Sequence, residues 1–474
     1  MSIGVVAHNE PPLVPYQFPI IGHTYNFLRD AENFLKECKE KYGDPFSLYI
    51  FGNVVTFAGA DIIPEVLKNS DVFDFYTGLN KIFPIHVVFK QFMKNYSSSY
   101  TARVVQEQIS NKINIYTSRL QKELLSGIEI FFGNCNEPKI FKNIHYTMSL
   151  IISKPVANVI LGECAQFDDI VASFALVEKE IQKMRYVPPI LMFIHPSLHQ
   201  FFVMLPLRFG WNPISRHRDL FVQRCKPIIE ERIRQRKELG EKYIQKEDIL
   251  DFYISESKTH VVDDNYLDNL FGELYNIVFA SVSTTSRPEL WNELYEEQLK
   301  IHNESNGNLS IEDVNKMVKL DCFVKESLRH SADIAVIPHT VMSDSFTFSN
   351  GITVPKDRDI YLYMKDSAFN NKFFGETSID FQPKRHITSF ANGKIVHSPA
   401  TKVDKSFAMF GGGKRACPGR FFAINEIKMC LHKLILRYNI RTESGKIVPP
   451  KIKTSTYVPS DSGLIFENRN YVKV

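Results

Sequence analysis

The stretch that most constrains this 474-residue chain is Phe410–Gly419, which reads FGGGKRACPG. Three consecutive glycines, Gly411 to Gly413, carry no Cβ, so the backbone can turn tightly there and lie against a flat partner. Lys414, Arg415 and Cys417 follow, then Pro418, whose fixed φ suits a first helical residue. Beyond it Ile424, Ile427, Leu431, Leu434 and Ile435 recur at helical spacing. The pattern predicts that Cys417 caps the N-terminus of a long amphipathic helix. Free N–H groups and the helix dipole at that position favour a thiolate over a thiol. A thiolate presented this way suits an axial ligand to a haem iron.

The rest of the sequence has to build a body around that loop. With 44% hydrophobic and 23% charged residues, the chain has the apolar mass for a sizeable core. A net charge of +4 is too small to argue for nucleic acid. Seven cysteines are scattered without C-x-x-C spacing, which speaks against a disulfide framework and a zinc site and for a reducing compartment. The opening MSIGVVAHNE lacks the charged and apolar regions of a secretion signal. No run of eighteen apolar residues occurs, so no transmembrane helix is predicted. Pro11, Pro12, Pro15 and Pro19 form a stiff extended segment. Residues 1–25 therefore read as a proline-rich lead-in without an anchor, and 26–474 as one domain.

Along that domain a short helix is predicted from Asp30 to Tyr42, then strands SLYIF and VVTFA joined at Gly52-Asn53. Helical spacing runs from Tyr100 to Ile128, and Met148 to Gly162 reads as a buried helix. Pro188 to Trp211 is strongly apolar but broken by four prolines, so it cannot span a bilayer. Its Phe201, Phe202, Arg208 and Trp211 suit a membrane interface. Arg218 to Lys242 is a charged helix with a kink expected at Pro227. Asp263 or Asp264 can cap a helix striped by Leu267, Leu270, Phe271, Leu274, Ile277 and Val278, which leads into Ala280-Ser281-Val282-Ser283-Thr284-Thr285. Ser310 to Asp313 is a capping-box pattern. Glu326 and Arg329, three apart on the following helix, can pair. Strands are predicted between Phe346 and Met364, after Pro338-His339. The fold class is mainly α with small β-sheets.

Phe410, Gly413, Arg415, Cys417 and Gly419 match F-x-x-G-x-R-x-C-x-G, and the chain resembles the cytochrome P-450 family in a eukaryotic, fungal-type form. The resemblance is specific from about Leu267 to Arg437. It implies that haem b (iron protoporphyrin IX) lies between a central helix and the loop, with Cys417 as the metal ligand. Phe410, Gly411, Gly413, Arg415 and Gly419 would shape the cofactor site. Ala280 and Thr284 would line the oxygen groove of the central helix, with Thr284 catalytic. Here Ser281 and Ser283 replace the family's usual Gly and acid. A mid-helix Thr hydroxyl can bond back to a carbonyl and open the helix locally. Glu326 and Arg329 match the family's E-x-x-R, and Phe381 to Arg385 its F-x-P-x-R, which implies a structural Glu326–Arg329–Arg385 cluster behind the loop. His339 stands where members often place a propionate-binding basic residue. The W-x-x-x-R that often binds propionates is missing, since the two tryptophans are Trp211 and Trp291, which leaves Arg103 as a candidate. Pro188 to Trp211 corresponds to the region between two roof helices.

The resemblance implies a monooxygenase: an iron-containing, metal-binding oxidoreductase of lipid or secondary metabolism. It would insert one oxygen atom from O2 into a lipophilic substrate such as a sterol, terpenoid or fatty acid. Electrons would come from NADPH through the flavins of a partner haem-protein reductase, with no nucleic acid involved. Lys414, Arg415, Arg420, Lys428 and Lys433 are expected to steer an acidic flavoprotein to the ligand loop. Peripheral contact on the cytosolic side of the endoplasmic reticulum is the expected location. Two alternatives stand beside it: a reductase-independent isomerase or dehydratase of oxygenated lipids, and a degenerate haem or lipid binder. Pro288 cannot donate to the Thr284 carbonyl, so the central helix is expected to kink or end there and to couple oxygen activation poorly.

Overall fold

The computed structural model describes residues 6–82, 85–93, 97–182, 191, 196–257, 261–279, 291–331, 336–389, 395–445, 451–453, 456–458 and 463–469. Helices dominate, and the sheets are small. The largest sheet contains β1 (Phe46–Ile50), β2 (Asn53–Ala58), β3 (Phe73–Asp74), β4 (Val336–Val341) and β5 (Asp359–Tyr363), in the order β1-β2-β5-β4-β3. β1 and β2 form a hairpin turned at Phe51 and Gly52, with φ of 49° and 76°. Two successive left-handed residues match the twist of the flanking strands. The turn therefore lies one residue earlier than its Gly52-Asn53 signal.

β4 is not among the predicted strands, because proline inside a run argues against a central strand. It is central all the same. Pro338 lies opposite Tyr361 and His339 opposite Ile360, and every residue of β4 is buried.

The helix expected from Asp30 starts earlier, as α1 (Thr24–Tyr42), with a break at Asp30. Two short helices follow, α2 (Ile63–Lys68) and α3 (Phe75–Ile82). The continuous helix expected over Tyr100–Ile128 is divided. α4 (Ser98–Val104) passes into a π turn at Val105–Ile109 and a 3₁₀ turn at Ser110–Lys112, and only then into α5 (Ile113–Phe131). α6 (Ile144–Leu161) packs against α5 and against α7 (Asp168–Gln182). By length and composition Ile144–Gln166 could cross a membrane, contrary to the sequence expectation, but it is packed into the core and 67% of its apolar window is buried.

Next come α8 (Pro196–Arg208), α9 (Ser215–Leu239), α10 (Ile249–Glu256) and α11 (Asp264–Phe279). α9 runs through Pro227 as one helix. Asp263 caps α11 by accepting the Tyr266 N–H at 2.8 Å. The stripe Leu267, Leu270, Phe271, Leu274, Ile277 and Val278 is buried as its spacing requires. α12 (Trp291–Glu304) and α13 (Val318–Ser331) flank a short helix that opens on the expected capping box, Ser310 with Asp313. Last comes α14 (Arg420–Arg437), which packs on α5, α12 and α13. One large core unites these helices, and two smaller clusters sit on either side of the five-stranded sheet.

Candidate functional site

The glycine loop is closed by its own backbone: the Cys417 N–H donates to the Phe410 carbonyl at 2.8 Å. Gly411 and Gly413 have φ of 73° and 56°, the left-handed region that favours glycine. The close approach that the glycines allow is made to α2. A Cβ on Gly413 would lie 2.5 Å from the Leu67 carbonyl oxygen, and one on Gly412 2.9 Å from its side chain. Phe410 packs at the edge of the main core, with its ring 6.4 Å from that of Phe407.

The helix starts later than the sequence suggests. Gly419 is the N-cap and Arg420 the first residue of α14, so neither Cys417 nor Pro418 belongs to it. Cys417 still serves the helix start, because its carbonyl accepts the Arg420 N–H at 3.5 Å, and the backbone N–H groups of Gly419 and Arg420 favour a charged sulfur. Burial raises the Cys417 thiol above its ordinary range, and those N–H groups and the Arg420 charge recover only part of the shift. The dipole therefore does not ionise the free side chain, as the sequence reading expected. A metal bound there would, since a coordinated thiol gives up its proton outright.

Around Cys417 the structure gathers residues that no motif marked. The Arg415 guanidinium stands 5.7 Å from the centre of the Tyr76 ring, on α3, and has no carboxylate partner among the described residues. Burial raises the Tyr76 hydroxyl above its ordinary pKa, and the Arg415 charge lowers it in part. Ser110 donates to the Pro418 carbonyl at 2.6 Å, and a Cβ on Gly419 would touch Val105 at 3.5 Å. The π and 3₁₀ turns between α4 and α5 thus rest on the cysteine loop. An uncompensated arginine and a tyrosine beside a sulfur are suited to an iron carried by an anionic macrocycle, so these residues fit haem.

His339 is buried in β4 beneath α3, 5.8 Å from the Phe75 ring, and its Nδ1 lies 3.4 Å from the Ile337 carbonyl. Burial lowers its pKa to about 4, so it is neutral near pH 7 and offers a propionate an N–H but no charge. Arg103 stacks over Tyr100 at 5.3 Å. Ala280, Ser281, Ser283, Thr284 and Pro288 lie outside the described residues.

The expected Glu326–Arg329–Arg385 cluster forms. Arg329 donates to both Glu326 oxygens at 2.7 and 2.8 Å, and Arg385 to one of them at 3.1 Å. Arg329 also donates to the carbonyls of Ala368, Ser378 and Asp380. His386, unmarked by any motif, adds a contact to Glu326 at 2.9 Å.

The basic docking set does not hold together. Lys428 is buried against Asp321 at 3.2 Å, and Lys433 is buried with its ammonium on the Gly307 carbonyl. Arg420 turns inward to the carbonyls of Cys417 and Thr401. Lys414 and Arg415 remain exposed, and Lys414 faces Asp71 at 3.2 Å. The five lie on one stretch of chain, but Lys428 and Lys433 fall on the buried face of α14.

A mainly helical fold that presents a cysteine sulfur from a glycine-turned loop, backed by a buried Glu–Arg–Arg cluster, defines the class of haem-thiolate proteins. The chain belongs to the cytochrome P450 family, whose profile matches residues 11–466. That is a family of oxidoreductases, monooxygenases that carry haem b. The chain is similar to the eburicol 14-alpha-demethylase of Uncinula necator, 25% identical over 92% of this chain and 86% of that protein. It is 22% identical to the lanosterol 14-alpha demethylase of Candida tropicalis over 97% of this chain and 90% of that one. A shorter match, 31% identical, joins 37% of this chain to 35% of the monooxygenase braC of Annulohypoxylon truncatum. Among solved structures, retinoic-acid-bound cyanobacterial CYP120A1 superposes with a TM-score of 0.65 at 18% identity, covering 97% of this chain and 99% of that one.

Proposed function

We propose that this chain is a haem-thiolate monooxygenase that inserts one oxygen atom from O2 into a lipophilic substrate of sterol, terpenoid or fatty-acid type. The observation that carries this reading is the Cys417 loop, closed by the Cys417 N–H on the Phe410 carbonyl at 2.8 Å just before the start of α14. Cys417 would be the iron ligand, and Arg415, with Tyr76 and His339, would meet the propionates. Phe410, Gly411, Gly413 and Gly419 fix the path of the loop. When bound, the haem supplies oxygen activation, which a thiolate ligand favours by donating electron density. The chain's own residues hold the backbone that carries that sulfur. The Phe410 carbonyl fixes the Cys417 N–H, Ser110 fixes the Pro418 carbonyl, and the Glu326 cluster locks the chain behind. Thr284 and Ala280 belong to this proposal as oxygen-groove residues. NADPH electrons would enter through a partner reductase, and the protein would contact the cytosolic face of the endoplasmic reticulum peripherally.

The test begins with the reduced carbon monoxide complex, which should show the red-shifted Soret band of thiolate ligation. Cys417→His should keep some haem and lose that band, and a mutant that retains the band removes the assignment. NADPH consumption with a reductase and stoichiometric oxygenated product supports the monooxygenase. Turnover of a lipid hydroperoxide without electrons would assign an isomerase instead.

A further inference from the structure

Arg420 is the one member of the expected docking set that turns into the ligand loop. Its Nη1 donates to the Cys417 carbonyl at 2.8 Å and its Nε to the Thr401 carbonyl at 3.1 Å. The guanidinium lies over the Phe421 ring at 4.3 Å. No carboxylate pairs with it among the described residues, so its full charge stays beside Cys417. The far end of the bridge is rigid. Ala400 N–H donates to Asp321 at 2.8 Å, Lys325 donates to Ser398 at 2.7 Å, and Asp321 pairs with buried Lys428. Thr401 therefore belongs to a segment tied to α13 and α14, and Arg420 ties Cys417 to that segment.

We propose that Arg420 is a positioning residue for the iron ligand: its two-carbonyl bridge fixes the sulfur, and its uncompensated charge restrains how strongly the sulfur donates to iron. This rests on Cys417 as the haem ligand. The bridge and the charge make separable contributions, because lysine keeps the charge but cannot span two carbonyls as a planar fork does. A cation close to a sulfur draws on its electron density, more strongly where water is partly excluded. Removing the cation should therefore make the iron harder to reduce. Losing a charge-assisted hydrogen bond weakens the hold on the loop by at least a factor of ten in rate or equilibrium terms.

The experiment compares wild type, Arg420→Lys and Arg420→Gln as purified haem proteins. Two readouts are taken: the iron reduction potential, and the rate at which the reduced carbon monoxide complex loses its thiolate band under mild urea. Arg420→Gln should have a more negative potential and lose the band roughly tenfold faster. Arg420→Lys should keep a potential near wild type and still lose the band faster. A merely structural role would speed band loss in both variants and leave both potentials at the wild-type value, and that result overturns the electrostatic assignment. Wild-type rates in both variants overturn the bridge. A wild-type protein without a thiolate band would instead remove the underlying reading, so the two failures are distinguishable.

Discussion

Glu326 is fully buried yet ionised, and the reason is the number of donors that reach it. Burial would raise its pKa, but Arg329, His330 and His386 hold it far below the ordinary carboxylate range. The Gln382 N–H adds another bond at 2.8 Å. Removing Arg329 leaves that charge without its main partner, so Arg329→Ala should cost about 3–5 kcal/mol of unfolding free energy. Adding Glu326→Gln to that variant should recover part of the loss. Urea titrations of the single and double variants measure this, and a loss below about 1 kcal/mol would contradict the buried-pair account. Glu273 shows the opposite sign. Burial raises its pKa from 4.5 to about 7, against one long bond from Tyr253 at 3.3 Å, with Tyr100 nearby. The native state keeps a proton that the unfolded state releases between those values, so its contribution falls as pH rises from 4.5 to about 7 and is flat above. Glu273→Gln should flatten that slope, gaining up to about 3 kcal/mol relative to wild type at pH 8 compared with pH 4. Equal pH profiles would show that the carboxyl is not protonated in the native state. The Glu326–Arg329 pair and the Cys417 loop were legible in the sequence because each rests on residues at fixed short spacing, and Arg385, 59 residues from Glu326, joined them only through the family resemblance. His386, Tyr76 and Glu273 were not, since what makes them matter is an approach across elements far apart in sequence.

At the scale of elements, periodicity reported helices well and their interruptions badly. A π turn wedges one extra residue into the hydrogen-bond ladder while the apolar stripe on either side continues, so Val105–Ile109 left no mark on the pattern. Yet that interruption is what brings Ser110 to the Pro418 carbonyl. Ser110→Ala should therefore loosen the cysteine loop without touching the iron ligand. The expected cost is about 1 kcal/mol in global stability, with several-fold faster transfer of haem to a scavenging apoprotein. Unchanged haem transfer would separate the turn from the loop. The strand Val336–Val341 was missed for the reverse reason. Pro338 is a local signal against a central strand, and pairing on both sides with β3 and β5 overrides it.

For the molecule as a whole, the proposed membrane contact makes one exposed apolar face the candidate to meet lipid. The described part of the apolar stretch ends in residues that water reaches freely: Phe209 is 83% exposed and Trp211 51%, with Phe201 and Phe202 at 41% each. Arg208 lies over Phe201 at 5.0 Å, a cation beside an apolar tip, as at a lipid headgroup boundary. A second exposed run, Phe18, Ile20 and Tyr25, precedes and opens α1. Burying even half of an aromatic ring is worth about 1–1.5 kcal/mol, so two rings together change membrane partition by about thirty- to a hundred-and-fiftyfold. The double variant Phe209→Ser with Trp211→Ser should accordingly sediment with phosphatidylcholine vesicles at least about tenfold less than wild type. High salt should change little in either protein, because an apolar contact is not screened. Phe18→Ser with Tyr25→Ser, tested in parallel, reports whether the second run shares the contact. Wild-type sedimentation of the Phe209 and Trp211 variant would remove this segment from the membrane face, and release of wild type by salt alone would replace the apolar contact with an electrostatic one.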